Sequence, residues 1–276
     1  AACGQTLCAI GLYGPVRGLV WGLGGVNGDW PAPTRRYIGP MSFGLSRGKP
    51  METGPFGLFA AELPPLPDDL ATNPAAAWLD PRAWYAEPAH PFEIEIGSGK
   101  GTFLVQEAPA NPGTNFLGIE WAKEFAVYAM DRIRRNDVRN VRLLCGDGVE
   151  FIRWRVPDGI VRTIHLYFPD PWPKTRHHKR RTISDAFLMQ AHRVLEPRGE
   201  LRVVTDHADY WAWMEEHFGR WCGGAGAMGD GGEKRFERQE FTRPASAGEG
   251  EVVGTNFERK YRREGRPFFG AVLRKV

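Results

Sequence analysis

The sequence lacks the features that mark disulfide-rich, metal-binding or membrane-spanning proteins. Its 276 residues include only four cysteines, with no Cys-x-x-Cys pair and no histidine at zinc-ligand spacing from them. Free thiols of this kind are typical of a reducing compartment, so a cytoplasmic protein is expected. No run of about 18 consecutive apolar residues occurs, so neither a spanning helix nor a membrane partner is predicted.

A strong overall charge and internal repeats are also missing. The net charge is +3, from 36 basic and 33 acidic residues, and no heptad or Gly-X-Y repeat is present. Coiled-coil and collagen-like folds are therefore excluded. Aromatic residues make up 12% of the chain, which argues against wholesale disorder. The length suits one large domain, or one domain with an extension.

Basic residues are concentrated in two segments. Residues 153–181 hold eight Lys or Arg against two acidic residues, and residues 258–275 hold seven against two. Two basic segments on a nearly neutral chain favour a face that binds a polyanion. The alternative from composition alone is solvated helix surface.

Glycine and proline divide the chain into three parts. Thirteen of the 34 glycines lie in residues 1–60, and 13 of the 22 prolines lie in residues 1–91. We expect residues 1–40 to be a poorly ordered extension, or an artefact of start-site choice. Residues 41–91 form a proline-rich N-terminal segment, and residues 92–276 form the main domain.

From residue 92 onward, short apolar strands alternate with helical patterns. This alternation predicts an α/β fold with a doubly wound, mostly parallel sheet of seven strands. The predicted strands are 92–96, 115–120, 140–145, 163–168, 200–205, 234–240 and 268–274, and the predicted helices are 102–106, 122–136, 149–155, 184–195 and 209–218.

An acidic residue lies at or just after the end of each of the first five predicted strands. These residues are Glu95, Glu120, Asp147, Asp170 and Asp206. Any one of them alone would be read as a helix cap or a loop residue. Together they predict a single ligand crevice, because ligands of such sheets bind beyond the carboxyl ends of the strands.

A glycine-rich turn follows the first strand, and two phosphate-binding motifs fail to match it. A P-loop would need glycine at Ile94 and a hydroxyl at Gly101. A dinucleotide fingerprint would need glycine at Thr102. What remains is Glu-x-Gly-x-Gly-x-Gly, in which Gly97 and Gly99 allow a ligand close to the backbone. A bare tight turn is the alternative.

The two glutamates at this turn indicate the kind of ligand. Glu95 would repel a pyrophosphate but suits a cationic amino-acid group, and Glu120 suits the two hydroxyls of a ribose. S-adenosylmethionine combines adenosine, a ribose diol, an amino-acid tail and a positive sulfur. The sequence therefore predicts S-adenosylmethionine as the cofactor.

One further motif gives the chain a family resemblance. Tyr-Phe-Pro-Asp-Pro-Trp-Pro-Lys at 167–174, followed by Arg-His-His-Lys-Arg-Arg at 176–181, resembles the signature of the bacterial tRNA (guanine-N7)-methyltransferases. Supporting matches span about two thirds of the chain. They are Glu-Ile-Gly-Ser-Gly-Lys-Gly at 95–101, Gly-Ile-Glu at 118–120, Thr-Asp at 205–206 and Thr-Asn-Phe-Glu at 255–258.

The resemblance implies a class I methyltransferase fold and assigns roles to single residues, and we expect the proline-rich segment 41–91 to pack on or near the tRNA side. The resemblance also implies that the product is 7-methylguanine at position 46 in the variable loop of tRNA, the substrate partner, and we expect a monomer or homodimer. The implied cofactor-binding residues are Glu95, Gly97, Gly99, Glu120, Asp147 and Asp170. The implied substrate-binding residues are Lys174, Asp206, Thr255, Asn256, Phe257 and Glu258.

The chemistry can be judged separately. Guanine N7 carries a lone pair and no proton, so its methylation needs no general base. Asp170, between two prolines, is therefore the candidate catalytic residue, as a carboxylate facing the moving positive charge. Lys179, Arg180 and Arg181 are candidate contacts to the tRNA backbone, with exposed surface charge as the alternative.

Two rival functions remain open. One is a methyltransferase acting on another RNA or on a small molecule. The other is a catalytically silent RNA-binding protein that keeps the fold. A complete set of cofactor residues argues against the silent protein, because binding RNA alone needs no such crevice.

Overall fold

A computed structural model describes residues 50–223 and 234–276, together with the backbone of residues 36–37. These ranges contain ten strands and six α-helices. The strands are β1 (Arg36–Tyr37), β2 (Met51–Glu52), β3 (Gly57–Phe59), β4 (Phe92–Ile96), β5 (Asn115–Glu120), β6 (Val141–Cys145), β7 (Val161–Tyr167), β8 (Leu195–Thr205), β9 (Phe236–Gln239) and β10 (Phe269–Lys275). The helices are α1 (Thr102–Ala110), α2 (Lys123–Arg135), α3 (Gly148–Arg155), α4 (Asp185–Val194), α5 (Ala208–Trp221) and α6 (Asn256–Arg263).

Eight of these strands form one twisted sheet in the order β3-β6-β5-β4-β7-β8-β10-β9. The first six strands in this order, β3 to β8, are parallel to one another. β10 runs antiparallel to both β8 and β9. This arrangement confirms the predicted doubly wound, mostly parallel sheet. The seven predicted strands are all present, and the three-residue β3 adds an eighth at the edge beside β6. β1 and β2 form a separate antiparallel ribbon.

Helices cover both faces of the sheet. α1 and α2 pack on one face, and α3, α4 and α5 pack on the other, each group over its own hydrophobic cluster. The helix predicted at 122–136 is confirmed as α2, and its Ala126, Met130 and Ile133 are all fully buried. Because both faces are covered, all five residues of β4 are buried, including the charged Glu93 and Glu95.

The proline-rich segment before β4 contributes to the same core. Trp84 and Tyr85 are buried in it, and the Tyr85 hydroxyl donates a hydrogen bond to the Phe116 carbonyl at 2.7 Å. Packing of this segment on the tRNA side stays a prediction. The extension predicted for residues 1–40 lies outside the described residues, apart from the backbone of residues 36–37.

Besides the added β3, α1 and α5 extend beyond their predicted ends at 106 and 218, to Ala110 and Trp221. β8 begins at Leu195, five residues before the predicted strand, and contains a turn at which Arg198 has a φ of 66°. α6 was not predicted, because a helix of mostly charged residues carries almost no apolar pattern.

The order of the strands determines where a ligand can bind. The chain winds outward from β4 through β5 to β6, and then in the opposite direction through β7 to β8. The reversal opens a crevice at the carboxyl ends of β4 and β7. None of the helices in the described part of the chain has the length and apolarity needed to cross a lipid bilayer.

Candidate active site

The structure brings the five predicted acids to one edge of the sheet. Read across adjacent strands from β6 to β8, they follow the order Asp147, Glu120, Glu95, Asp170 and Asp206. Neighbouring strands lie about 4.8 Å apart, so this acid row extends over roughly 19 Å. The row crosses the reversal point of the sheet, where a ligand is expected.

The glycine turn lies in the middle of the row. Gly97, Gly99 and Gly101 have φ angles of 78°, 53° and 64°, which residues with a side chain rarely adopt. A Cβ atom at Gly97 would meet no atom within 4 Å, and one at Gly99 would meet only the Phe257 ring, at 3.7 Å. The backbone of the turn therefore borders open space, as the predicted close approach of a ligand requires.

Glu120 fastens this turn to the end of β5. Its Oε2 accepts a hydrogen bond from the Gly99 N–H and its Oε1 accepts one from the Ala122 N–H, both at 2.8 Å. Burial raises the pKa of Glu120, the two N–H donors oppose that shift, and the negative charge of Asp170 adds to it. Each carboxylate oxygen keeps a second lone pair with which it can accept a hydroxyl.

Glu95 has very different surroundings. Its side chain is buried, and its Oε2 atom has no hydrogen-bond partner in the described structure. Burial, together with repulsion from Glu120, raises the pKa of Glu95 to about 8. A buried polar atom without a partner is unusual and calls for a donor from outside the chain. A protonated amino group is such a donor.

Asp147 lies at the β6 end of the acid row. Its Oδ1 accepts hydrogen bonds from the Val149 and Glu150 N–H groups at 2.9 and 3.1 Å, so it is the N-cap of α3. The residue is exposed beside the end of β6. It therefore has a structural role as a helix cap, and its implied role in cofactor binding stays a prediction.

Asp170 is exposed in a strained loop, which we call the Asp170 loop (residues 168–174). Phe168 and Trp172 have φ angles of 53° and 43°, so two non-glycine residues adopt the left-handed conformation on either side of Asp170. Such strain persists only where neighbouring contacts hold it, and it is common at active sites. The Trp172 ring packs under the Arg180 guanidinium at 4.9 Å.

Arg181 is a buried residue that contacts the Asp170 loop. Its side chain is only 1% exposed, donates a hydrogen bond to the Pro171 carbonyl at 2.9 Å and forms an ion pair with Asp209. Its guanidinium also lies 5.0 Å from the Tyr210 ring and 5.3 Å from the Trp213 ring. The expectation that Arg181 contacts the tRNA backbone is therefore wrong, because the side chain is inaccessible.

The predicted substrate residues lie beside the acid row with differing exposure. Lys174 is exposed at the end of the Asp170 loop, and Phe257 is exposed beside the glycine turn. Asn256 donates a hydrogen bond to the Thr102 hydroxyl at 2.9 Å, which ties α6 to α1. Asp206 accepts a hydrogen bond from the Arg266 guanidinium at 2.7 Å.

Thr255 and Glu258 build the start of α6. The Thr255 hydroxyl is the N-cap and accepts a hydrogen bond from the Glu258 N–H at 3.2 Å. Glu258 is fully buried, and its carboxylate accepts hydrogen bonds from the N–H groups of Val252, Val253 and Gly254. Burial alone would raise the pKa of Glu258, but these donors and Arg262 outweigh it and lower the pKa. Glu258 therefore shapes the loop before α6 and has no free face for a substrate.

The sequence patterns did not identify two residues beside the site, Tyr261 and Arg266. The pattern Thr-x-x-Glu at 255–258 is a helix-start signature and would have revealed α6, which places Tyr261 next to Phe257. The Phe257 and Tyr261 rings stack with their centres 6.1 Å apart. No local signal would have revealed the contact of Arg266 with Asp206.

The doubly wound sheet, the glycine turn and the acid row together define a class I S-adenosylmethionine-dependent methyltransferase fold. A family model described as "Putative methyltransferase" matches residues 89–223. The tRNA (guanine-N(7)-)-methyltransferase of Corynebacterium diphtheriae is 37% identical over 192 residues, covering 70% of this chain and 71% of the relative. The corresponding enzyme of Agrobacterium fabrum is 31% identical, covering 81% and 90%.

This chain belongs to the bacterial tRNA (guanine-N7)-methyltransferase family. Among solved structures, a SAM-dependent methyltransferase from Aquifex aeolicus aligns with a TM-score of 0.43 at 14% identity, over 67% of this chain and 82% of that one.

Proposed function

We propose that this protein transfers a methyl group from S-adenosylmethionine to N7 of guanine 46 in the variable loop of tRNA. The observation that carries the proposal is the crevice at the carboxyl edge, where the glycine turn, the unpartnered Glu95 carboxyl and Asp170 lie on adjacent strands. The relatives named above are tRNA (guanine-N(7)-)-methyltransferases by name, which supports N7 of a tRNA guanine as the target, and position 46 follows from the family resemblance. From such a substrate we infer a cytoplasmic location.

The residues at the centre of the row fit S-adenosylmethionine. The unpartnered Oε2 of Glu95 would accept a hydrogen bond from the amino group of its amino-acid part. Glu120 would accept the ribose hydroxyls, and the open backbone at Gly97 and Gly99 would leave room for the chain between them. Asp147, beside the end of β6, would lie near the adenine. When bound, the cofactor supplies a methyl group on a positively charged sulfur.

The chain itself contributes alignment and charge. Guanine N7 has no proton to lose, so no residue has to act as a base. Asp170 places an exposed carboxylate where positive charge passes to the guanine, and such fixed charges stabilise transition states most strongly. The buried Arg181 side chain donates a hydrogen bond to the Pro171 carbonyl and so holds the Asp170 loop in place. A fixed loop favours accurate alignment of the base with the methyl group.

Exposed cations beside the crevice would hold the tRNA backbone. Lys174, Arg176, Lys179 and Arg180 are exposed next to the Asp170 loop, and Lys260 is exposed on α6. The acid row itself would repel phosphate. We infer that the tRNA is held at the rim of the crevice and that only the target base enters it.

Methylation of defined tRNA transcripts tests the proposal. The protein is incubated with labelled S-adenosylmethionine and a transcript with guanine at position 46, or a control transcript with adenine there, and the nucleosides are analysed. We expect 7-methylguanosine from the first transcript alone. An Asp170→Asn variant should bind both ligands and turn over about ten- to a thousandfold more slowly, the range for losing one electrostatic stabiliser. Methylation of ribosomal RNA but not of either transcript would contradict the proposal.

A further inference from the structure

A polar cavity lies at the edge of the sheet opposite the acid row, against the amino-terminal parts of β4, β7 and β8. Its volume is about 620 Å³, within the range of small-molecule sites. Five arginines line it, and we call it the arginine cavity: Arg162, Arg198, Arg202, Arg243 and Arg274. The five steps along β7 from Arg162 to Tyr167, at about 3.3 Å each, place it roughly 16 Å from the Asp170 loop. The cavity is therefore separate from the crevice at the carboxyl edge.

The strand residues that face this cavity are polar, which is unusual for a parallel sheet. Both faces of such a sheet are normally covered by apolar packing. Here Glu93, Thr163 and His165 face the cavity and are at most 7% exposed, and the Arg202 side chain is 13% exposed. Polar groups are costly to bury unless they are hydrogen-bonded, so this wall suits a polar occupant and not an apolar one.

Glu93 is a buried acid whose charge is matched by its neighbours. Its Oε1 accepts hydrogen bonds from Arg162 Nε and Nη2 at 2.9 and 2.6 Å, and its Oε2 lies 2.7 Å from His165 Nε2. Burial alone would raise the pKa of Glu93, but His165 and Arg162 outweigh it and lower the pKa to about 2. Glu93 is therefore ionised and paired, and it leaves no free carboxylate to repel an anion.

Glu200 is shared by two guanidinium groups. Its Oε2 accepts a hydrogen bond from Arg202 Nη1 at 2.9 Å, and its Oε1 accepts one from Arg274 Nη2 at 2.7 Å. One carboxylate cancels only one of the two positive charges. The Arg274 Nη1 atom has no hydrogen-bond partner in the described part of the chain, and the side chain is 27% exposed. Its donors are therefore available to a ligand.

Arg198 and Arg243 are exposed at the mouth of the cavity, and neither pairs with an acid among residues 50–223 and 234–276. Arg243 donates a hydrogen bond to the Gly248 carbonyl at 3.3 Å. Arg198 has a φ of 66°, a conformation that glycine adopts without strain and arginine does not. Strain of this kind is common where a residue holds a ligand. The exposed guanidinium groups and the strained turn therefore point to an anionic ligand.

The other two acids leave the cavity positive. Glu107 is directed to neutral donors, because its carboxylate accepts hydrogen bonds from the Asn111 side chain at 2.8 Å and from the Ser246 N–H at 2.9 Å. Glu196 is half-buried and forms no ion pair with any residue that the structure describes. Five arginines against four glutamates leave a charge of +1, with histidine counted as neutral.

We propose that the arginine cavity is a second binding site, which takes a phosphate group. A guanidinium presents a planar fork of donors that matches two oxygens of a phosphate, and it is always charged. Arg198, Arg243 and the Nη1 atom of Arg274 hold the group. The phosphate belongs either to the tRNA backbone or to a free phosphate ester, two sources with the same chemistry. The site does not rest on the proposed function, because none of its residues belongs to the acid row or the Asp170 loop.

Phosphate binding by an Arg198→Gly variant tests the site. Glycine suits the φ of 66°, so the turn keeps its conformation while the guanidinium is lost. In calorimetric titrations of the full chain with inorganic phosphate, binding should be about ten- to a hundredfold weaker in Arg198→Gly, the effect of losing hydrogen bonds to a charged group. Arg243→Ala should also weaken it. Arg139→Ala is the matched control and should bind as the wild type does, because Arg139 is an exposed arginine outside the cavity that pairs with Asp137.

The salt dependence of tRNA binding separates the two sources. If the phosphate belongs to the tRNA backbone, Arg198→Gly should reduce the log–log salt slope by about 0.7–0.9, and inorganic phosphate should compete with tRNA. If it belongs to a free ester, the slope of Arg198→Gly should equal that of Arg139→Ala. Adenosine 5′-monophosphate should then bind the wild-type protein at least as tightly as inorganic phosphate does.

The proposal is overturned if Arg198→Gly and Arg243→Ala match Arg139→Ala both in phosphate titration and in tRNA binding. Denaturant unfolding of the three variants checks that each is folded. That outcome would leave methyl transfer standing, whereas failure to methylate the transcript with guanine at position 46 would leave the phosphate site standing.

Discussion

Glu95 and Glu120 are neighbouring carboxyl groups with different hydrogen-bond partners. Glu120 receives two backbone N–H donors, which stabilise its negative charge. Glu95 is buried with an unpartnered oxygen, and the pKa of about 8 means that it is mostly protonated at neutral pH before a ligand binds. A ligand with an ammonium group would reverse this preference, because it supplies both a donor and a positive charge.

The first prediction follows from this raised pKa. The folded protein holds a proton on Glu95 that the unfolded chain releases above pH 4.5, so stability without cofactor falls as the pH rises from about 4.5 toward 8. Between pH 6 and pH 8, release of the Glu95 proton lowers the unfolding free energy of the wild-type protein by about 2 kcal/mol, at 1.36 kcal/mol per pKa unit. Glu95→Gln has no such proton, so the unfolding free energy of this variant should fall less over the same range.

Chemical unfolding of both proteins at pH 6, 7 and 8 provides the measurement. In the same range, wild-type affinity for S-adenosylmethionine should increase with pH, because the ionised carboxyl binds the ammonium group. Parallel stability curves for the two proteins would show that Glu95 does not hold the proton.

At the scale of elements, the basic segment after β7 contains two kinds of arginine. Arg180 lies on the surface over the Trp172 ring, whereas Arg181, its neighbour in sequence, is buried beneath Pro171. One side chain is free to meet phosphate and the other supports the Asp170 loop. Charge alone does not separate them, since the direction of each side chain depends on the short 3₁₀ helix Thr175–Arg180 that ends between them.

The second prediction separates these two roles. Arg181→Ala should lower the unfolding free energy by about 2–4 kcal/mol, from a lost buried hydrogen bond and two cation–π contacts. Arg180→Ala should leave stability nearly unchanged but weaken tRNA binding and reduce the log–log salt slope by about 0.7–0.9. Denaturant unfolding and salt-dependent binding of both variants make the comparison. An exchange of the two phenotypes would refute the assignment.

At the scale of the whole molecule, the doubly wound, mostly parallel sheet and the acid row could be predicted, because strands alternate with helices along the chain and five successive predicted strands each carry an acid at or just after their end. The short β3 could not, since three residues carry no periodic pattern and are held by pairing with β6. The contact of Arg266 with Asp206 could not either. It joins residues 60 positions apart and depends on the antiparallel pairing of β10 with β8, which no local pattern specifies.

The third prediction concerns how far the folded unit extends before β4. Trp84 lies ahead of the predicted boundary at residue 92, yet it is 4% exposed and packs against Phe151. Trp84→Ala should therefore lower the unfolding free energy by about 3–5 kcal/mol, as for other buried aromatic residues. Trp121, which is 74% exposed, is the control, and its replacement should change stability by less than about 0.5 kcal/mol. Equal effects would mean that the segment before β4 is dispensable for folding.

The reversal of the sheet between β4 and β7 has a kinetic consequence. The glycine turn and Glu120 come from the first half of the sheet, whereas Asp170 and Asp206 follow β7 and β8, which begin 69 and 103 residues after the start of β4. A chain that has assembled only β4, β5 and β6 therefore has an incomplete crevice. A ligand that needs both halves binds the native state and not such a partial structure, and so lengthens the native lifetime without accelerating folding.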